Sequence, residues 1–130
     1  MVKVAALYDR VKFKNEQGAD EAQNVWGIGA TVPIGNGRII GQFYKANDIS
    51  HTSDTGAKLW EIGYVHSLSK RTEVRAVYAR LSNDDAVNYD FGVNAVGNGA
   101  SAAVGAGGAV TTVGMGSTVS GVQVGLRHSF

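Results

Sequence analysis

Cysteine is absent from the 130 residues and proline occurs once, which excludes a disulfide scaffold, a thiolate metal site, a collagen-like repeat and a proline-rich linker. Charge of one sign is also missing. Twelve basic and eleven acidic residues leave a formal charge of +1, and no basic run exceeds Lys70-Arg71, so no nucleic-acid partner is expected. The opening residues Met1 to Arg10 lack the apolar core and small-residue cleavage site of a secretory signal. Either the chain is cytosolic or Met1 is not the true beginning of its gene product. One charge-free stretch, Phe91 to Leu126, is long enough to cross a bilayer, but it is broken by glycines from Gly92 to Gly125. Each costs about 0.8–1 kcal/mol against alanine inside a helix, and the Ala, Val, Ser and Thr around them are too weakly hydrophobic to offset that.

What is present is 44% apolar content, 18 glycines and a strong period of two, with almost no helical spacing. The chain therefore reads as all-β, an antiparallel up-and-down meander of about six long strands. Gln23 to Ile34 sets Trp26, Ile28, Ala30, Val32 and Ile34 against Val25, Gly27, Gly29, Thr31 and Pro33. Asn36-Gly37 matches the two positive-φ positions of a type I′ turn, which predicts that Ile34 faces Ile39, Val32 faces Gly41 and Ala30 faces Phe43. Beyond the turn, Ile39, Gly41 and Phe43 continue the apolar face, and Ile40 is a misfit on the other. Val2 to Phe13 alternates weakly, with Leu7 on the wrong face. Ala57 to Ser67 groups Trp60, Ile62, Tyr64 and His66; Glu73 to Leu81 groups Val74, Ala76 and Tyr78. Clearest is Val119 to Phe130, where Val122, Val124, Leu126, His128 and Phe130 oppose Gly121, Gln123, Gly125, Arg127 and Ser129.

Connections alternate in length. Gly35 to Gly37 and Leu68 to Thr72 are short, whereas Lys14 to Ala22, Asn47 to Gly56 and 82–118 are long. Tight turns on one rim and large loops on the other, joined by strands of about 10 residues, form the layout of a transmembrane β-barrel. Trp26, Trp60, Tyr64 and Phe130 are then expected at the interfacial girdles. The faces opposite the apolar stripes should border water, with Arg38, Gln42, Glu61, Arg75, Gln123 and Arg127 as pore-lining candidates and Lys3 and Tyr44 behind them. Their charges predict a mild preference for anions.

Gly63-Tyr64-Val65-His66-Ser67-Leu68-Ser69-Lys70-Arg71-Thr72, with Tyr78-Ala79-Arg80-Leu81 after it, resembles the penultimate hairpin of the Gram-negative general porins. Val124-Gly125-Leu126-Arg127-His128-Ser129-Phe130 resembles their closing strand. The resemblance implies a sixteen-stranded, water-filled barrel, trimeric, in the outer membrane among lipid and lipopolysaccharide, passing small hydrophilic solutes and ions. It also implies that the strand ending in Phe130 is read by the outer-membrane assembly machinery. Six strands are fewer than any barrel of this kind needs, so residues 1–130 are expected to be the C-terminal portion of a porin domain, an open curved sheet carrying the long loop 82–118.

No catalytic constellation emerges, and neither an enzyme nor a cofactor is expected. Ser67-Leu68-Ser69-Lys70 matches Ser-x-x-Lys but has no partner motif or helix to present it, and reads as a turn. Gly97-Asn98-Gly99-Ala100-Ser101-Ala102 matches a dinucleotide fingerprint with no acidic residue after Asp90 and no helix, and reads as a loop. His51, His66 and His128 are too dispersed for a metal site. Asp84, Asp85 and Asp90 read as solvated loop charges ahead of a divalent-cation site. Two other readings stand beside the porin: a small soluble β-sandwich or lipocalin-like binding module with the same faces turned inward, and an inactive truncated fragment.

Overall fold

In the computed structural model, residues 1–14, 18–89, 102–104 and 110–130 are described. Eight strands follow in order: β1 (Lys3–Lys14), β2 (Asp20–Ile34), β3 (Gly37–Ala46), β4 (Ala57–Ser67), β5 (Thr72–Asn83), β6 (Ala102–Val104), β7 (Val110–Thr112) and β8 (Thr118–His128). Six of them form one antiparallel sheet in the order β1-β2-β3-β4-β5-β8, and β6 pairs with β7 in a separate hairpin. The expected meander is therefore present and unrolled, with β1 and β8 as open edges. Its β4 has the predicted bounds. Three details differ: β1 and β2 run on to a Lys14↔Asp20 pair and shorten their connection, the connection after β5 contains the β6–β7 hairpin, and β8 ends at His128, two residues short of Phe130.

The turn between β2 and β3 departs from expectation. Ile34 pairs with Gly37, Val32 with Ile39, Ala30 with Gly41 and Ile28 with Phe43, a two-residue slip from the predicted register. The turn residues are thus Gly35-Asn36. Only Gly35 has positive φ, at 54°, the requirement of a type II′ turn with glycine first, whereas type I′ needs both central residues positive. Pairing from Ile34 and Gly37 onward places the sole glycine that meets this requirement at the first turn position. Because side chains alternate with period two, a two-residue slip leaves every residue on its predicted face. A β-branched residue cannot adopt this φ without strain of about 1–3 kcal/mol, so Gly35→Val should lower the unfolding free energy of the folded protein by that much in a urea titration, while Asn36→Ala changes it little.

The sheet is a single layer. Ala57, Val65, Leu81 and Val113 are the buried apolar residues among those described, and no large side chain is fully enclosed. A sandwich or lipocalin would turn its greasy face inward against a second layer; here Ile28 is 50% exposed, Val124 77% and Leu126 67%. That alternative is therefore set aside. The little core that exists lies at the loop rim, where Thr55, Ala57, Leu81, Asn83 and Val113 are shielded.

Candidate functional site

Cross-strand register sorts the sheet into two chemically distinct faces. One carries rows such as Val4, Ala30, Gly41, Ile62, Tyr78 and Val122, followed by Ala6, Ile28, Phe43, Trp60, Arg80 and Ser120. The other carries Ala5, Gly29, Gln42, Glu61, Ala79 and Gly121, next to Lys3, Thr31, Ile40, Gly63, Val77 and Gln123. All six sequence-predicted polar candidates, and Lys3 and Tyr44 with them, share this second face. Most of the residues between them are small, so the polar groups stand proud of a low wall.

Two hydrogen-bonded groups organise the polar face. Tyr44 Oη donates to Gln42 Oε1 at 2.6 Å, and Gln42 Nε2 donates to Glu61 Oε1 at 2.8 Å across the β3–β4 pair. Gly27 lies beneath the Tyr44 ring, which occupies the space a Cβ would need; the glycine permits that close approach. Nearer the tight turns, Arg38 Nη2 reaches over β4 to Glu73 Oε2 at 3.2 Å, and Arg127 Nη1 lies 3.9 Å from Glu73 Oε1. Val65 sits between Arg38 and Arg75 in register and is only 3% exposed, as expected when long arginine stems lie over an apolar neighbour. Arg75 in turn lies across Gly125, whose missing Cβ would meet Nε at 3.2 Å.

Charge on this face is unevenly placed. Lys3, Arg38, Arg75 and Arg127 all fall in the three rows nearest the turns, where Glu73 is the single carboxylate among the strand residues. Glu61, Asp9 and Glu21 lie farther toward the loops. Glu73 was not singled out from sequence, although its pairing with Arg127 follows from the β5–β8 register. Missed too was the rim network. Gln23 Nε2 donates to Asn47 O at 3.0 Å and approaches Tyr89 Oη at 3.3 Å, while Asn83 Nδ2 donates to Tyr89 O at 2.9 Å. Those bonds tie Asn47 and Tyr89 to the loop-side ends of β2 and β5. The misfit Leu7 joins Leu59, Leu81 and Val119 in one register row just below them.

On the opposite face, Trp26 stacks near Phe43 with ring centroids 5.5 Å apart, and Trp60 near Tyr78 at 5.3 Å. These aromatics are staggered. Tyr8 and Trp26 share one row, Phe43 and Trp60 the next, and Tyr78 the one after. A shift of two residues (~6.6 Å) per two strands (~9.6 Å) corresponds to strands tilted about 35° from the normal to that line, within the range for membrane barrels. Tyr64 lies toward the turn rim, its Oη 3.1 Å from His66 Nδ1, and Phe130 lies beyond β8, its ring 4.9 Å from that of His128.

The remaining motifs take their places without a site. Ser67 ends β4 and Leu68 to Lys70 belong to the β4–β5 turn, where Leu68 N donates to Thr72 O at 2.9 Å and Arg71 N to Ser69 Oγ at 3.1 Å. His128 Nδ1 pairs with Thr72 Oγ1 at 2.8 Å, and His51 lies in the β3–β4 connection with φ 68°. Among the described residues no three His, Asp or Glu side chains are grouped to hold a metal. Asp90 and Gly97 to Ser101 fall outside the described residues.

Similarity to known proteins agrees with this geometry. A family model described as Gram-negative porin matches residues 1–86. Outer membrane porin protein 32 of Delftia acidovorans is 36% identical over all 130 residues, which span 33% of that protein. An anion-selective porin from Comamonas acidovorans superposes with a TM-score of 0.77 at 32% identity, covering 99% of this chain and 35% of its own. The chain thus spans about a third of the length of these relatives. With its all-β sheet of tilted strands bearing one greasy and one polar face, this chain belongs to the Gram-negative porin family of the outer membrane.

Proposed function

We propose that the chain forms six adjacent wall strands of a passive-diffusion channel, its apolar face against lipid and its polar face against a water-filled lumen. The observation that carries this is the separation of faces: large apolar side chains stand open on one side of a single-layer sheet, and every polar candidate stands on the other. Diffusion needs a hydrated wall and a limiting diameter, not a catalytic group, so the chain acts as a channel wall and not as an enzyme. Arg38, Gln42, Glu61, Arg75, Gln123 and Arg127 line the passage, with Lys3, Tyr44 and Glu73. Four cations against one carboxylate in the turn half of the wall raise the local concentration of anions, in keeping with the anion selectivity named for the relative from Comamonas acidovorans.

The open edges of β1 and β8 cannot remain unpaired in hydrocarbon, since each unsatisfied backbone group costs several kcal/mol there. Further strands must therefore complete the wall, and residues 1–130 supply its C-terminal part. Trp26, Trp60, Tyr64 and Phe130 anchor the two interfaces, three subunits make the working assembly, Phe130 addresses the chain to the assembly machinery, and lipopolysaccharide surrounds the outer rim. Solutes are small, hydrophilic and selected by charge and size.

Residues 1–130 contain no cysteine, so a label on them reports the engineered position. Single cysteines placed at Gln42 and Gln123 of the complete barrel that contains these strands should react with a membrane-impermeant maleimide in lipid vesicles, while cysteines at Ile28 and Val124 should be protected. Equal labelling of both sets, or the reverse pattern, would overturn the channel reading.

A further inference from the structure

Among the arginines of the turn half, Glu73 is out of place in a wall that draws anions. Its register row reads Ser67, Glu73 and Arg127 across β4, β5 and β8, and the next row away from the turn holds Arg38, Val65 and Arg75. The carboxylate oxygens face different guanidiniums. Oε2 accepts from Arg38 Nη2 at 3.2 Å, whereas Oε1 lies 3.9 Å from Arg127 Nη1, an ion pair too long to be a hydrogen bond. Arg127 is left with its side chain 76% exposed, against 23% for Glu73. On the turn side of this pair is a polar recess of about 230 Å³, bordered by Ser67, Lys70, Arg71, Glu73, Arg127 and Ser129. Backbone bonds of the turn hold it in shape: Leu68 N and Ser69 N both donate to Thr72 O, and Ser129 N donates to Arg71 O. Neither Lys70 nor Arg71 is ion-paired among the described residues.

One carboxylate shared by two guanidiniums does what a bound oxyanion would do there: it presents an oxygen to each. We infer that Glu73 is a tethered stand-in for the permeant anion, an affinity-setting residue that competes with multivalent oxyanions for Arg38 and Arg127 and limits how long they are held. The ligand class follows from the donors. Guanidinium forks match paired oxygens and bind them bidentately, and hydroxyls donate to further oxygens, whereas a single-atom halide engages only part of such a set. The recess gives an oxyanion room to enter beside Arg127 with several waters, each taking about 30 Å³. Transport supplies the reason for a competitor, since a binding station in a pore must be strong enough to admit an ion and weak enough to release it. A carboxylate fixed in the site is never diluted away; a short tether gives it a millimolar or higher effective concentration. With the arginines free of it about a tenth of the time, the apparent affinity for a permeant anion is about tenfold below the intrinsic one. An arriving oxyanion displaces Glu73 first from Arg127, the looser contact, and the carboxylate returns as the ion moves on. The inference rests on the polar face lining an aqueous lumen, as proposed above, and adds a residue that sets the dwell time of the solute.

The test is made on the complete barrel that contains these strands, in planar bilayers at neutral pH and constant ionic strength. Chloride carries the current and inorganic sulfate is the probe. Single-channel records give the half-blocking sulfate concentration and the duration of each interruption. Glu73→Gln should lower that concentration about tenfold and lengthen the interruptions by a similar factor, because affinity differences within one site lie mostly in the off-rate. Glu73→Ser, which repeats its row neighbour Ser67, should act the same way, and conduction itself reports that each variant has folded. Asp9→Asn removes an equal charge from the same face away from the arginines, and should shift the value by about twofold or less through the screened general field. In a channel already carrying Arg38→Gln and Arg127→Gln, Glu73→Gln should gain less than about twofold, as expected when the coupling is direct. A half-blocking concentration unchanged or raised by Glu73→Gln, one lowered equally by Asp9→Asn, or a gain that survives loss of both arginines would overturn the competitor and leave the channel reading standing. A complete wild-type barrel that passes no ions would overturn the channel reading itself.

Discussion

Arginine in place of Val124 should destabilise the membrane-folded protein by about 2–4 kcal/mol, whereas arginine at the adjacent Gln123 should cost under about 1 kcal/mol. Both positions belong to the edge strand β8, and both pair with β5: Val124 with Ala76, Gln123 with Val77. Backbone bonding and depth in the bilayer are nearly the same, so the difference reads out only which face each side chain occupies. Val124 lies between Val122 and Leu126 in a strip left open to acyl chains, each at least 67% exposed, and a guanidinium there loses its hydration. At Gln123 the same group joins a wall that already carries Arg75 and Arg127. Denaturant titration in bilayers measures the two costs directly; equal values would mean that the strand faces do not differ in solvent.

Removing the cations of the turn half should have the largest effect on permeation. Take a channel containing this wall, with Arg38, Arg75 and Arg127 replaced together by glutamine. Each positive charge about 8 Å from the ion path contributes about 0.2 kcal/mol at 0.1 M salt, where the screening length is about 10 Å. Three of them sum to about 0.7 kcal/mol, which acts with opposite sign on anions and cations, so the anion-to-cation permeability ratio should fall about tenfold. Reversal potentials across a planar bilayer with a salt gradient check this. The shift should shrink at 1 M salt, where screening extends only about 3 Å. Glu73 sharpens the expectation: it holds Arg38 and offsets part of its field, and it stays behind when the three arginines are neutralised, leaving Lys3 as the last cation among the polar-face strand residues of the turn half.

How much of this was legible beforehand differs from one feature to the next. Trp26, Ile28, Ala30, Val32 and Ile34 form a stripe in the sequence and a stripe in the sheet, because the period-two alternation of side chains is a local property of extended backbone. The six polar candidates fell on one face for the same reason. The turn was misplaced by one residue, which shifts the pairing by two, since Asn36-Gly37 and Gly35-Asn36 are both good turn pairs and only pairing along the full length of β2 and β3 discriminates between them. Leu7 and Ile40 looked like errors in the pattern; Leu7 proves to belong to a register row with Leu59, Leu81 and Val119, a role defined by residues from three other strands.

From the sequence alone came the strand count, the two faces and the alternation of tight and long connections, all of which depend on residues a few positions apart. Tertiary structure decided what lies beside what. The bridging of Arg38 and Arg127 by Glu73, the Tyr44 ring over Gly27, the closing of the rim through Gln23 and Tyr89, and the stagger that aligns the aromatics all join strands far apart in the chain. Their geometry depends on register, which a local pattern leaves free to slip by two residues without changing a single face.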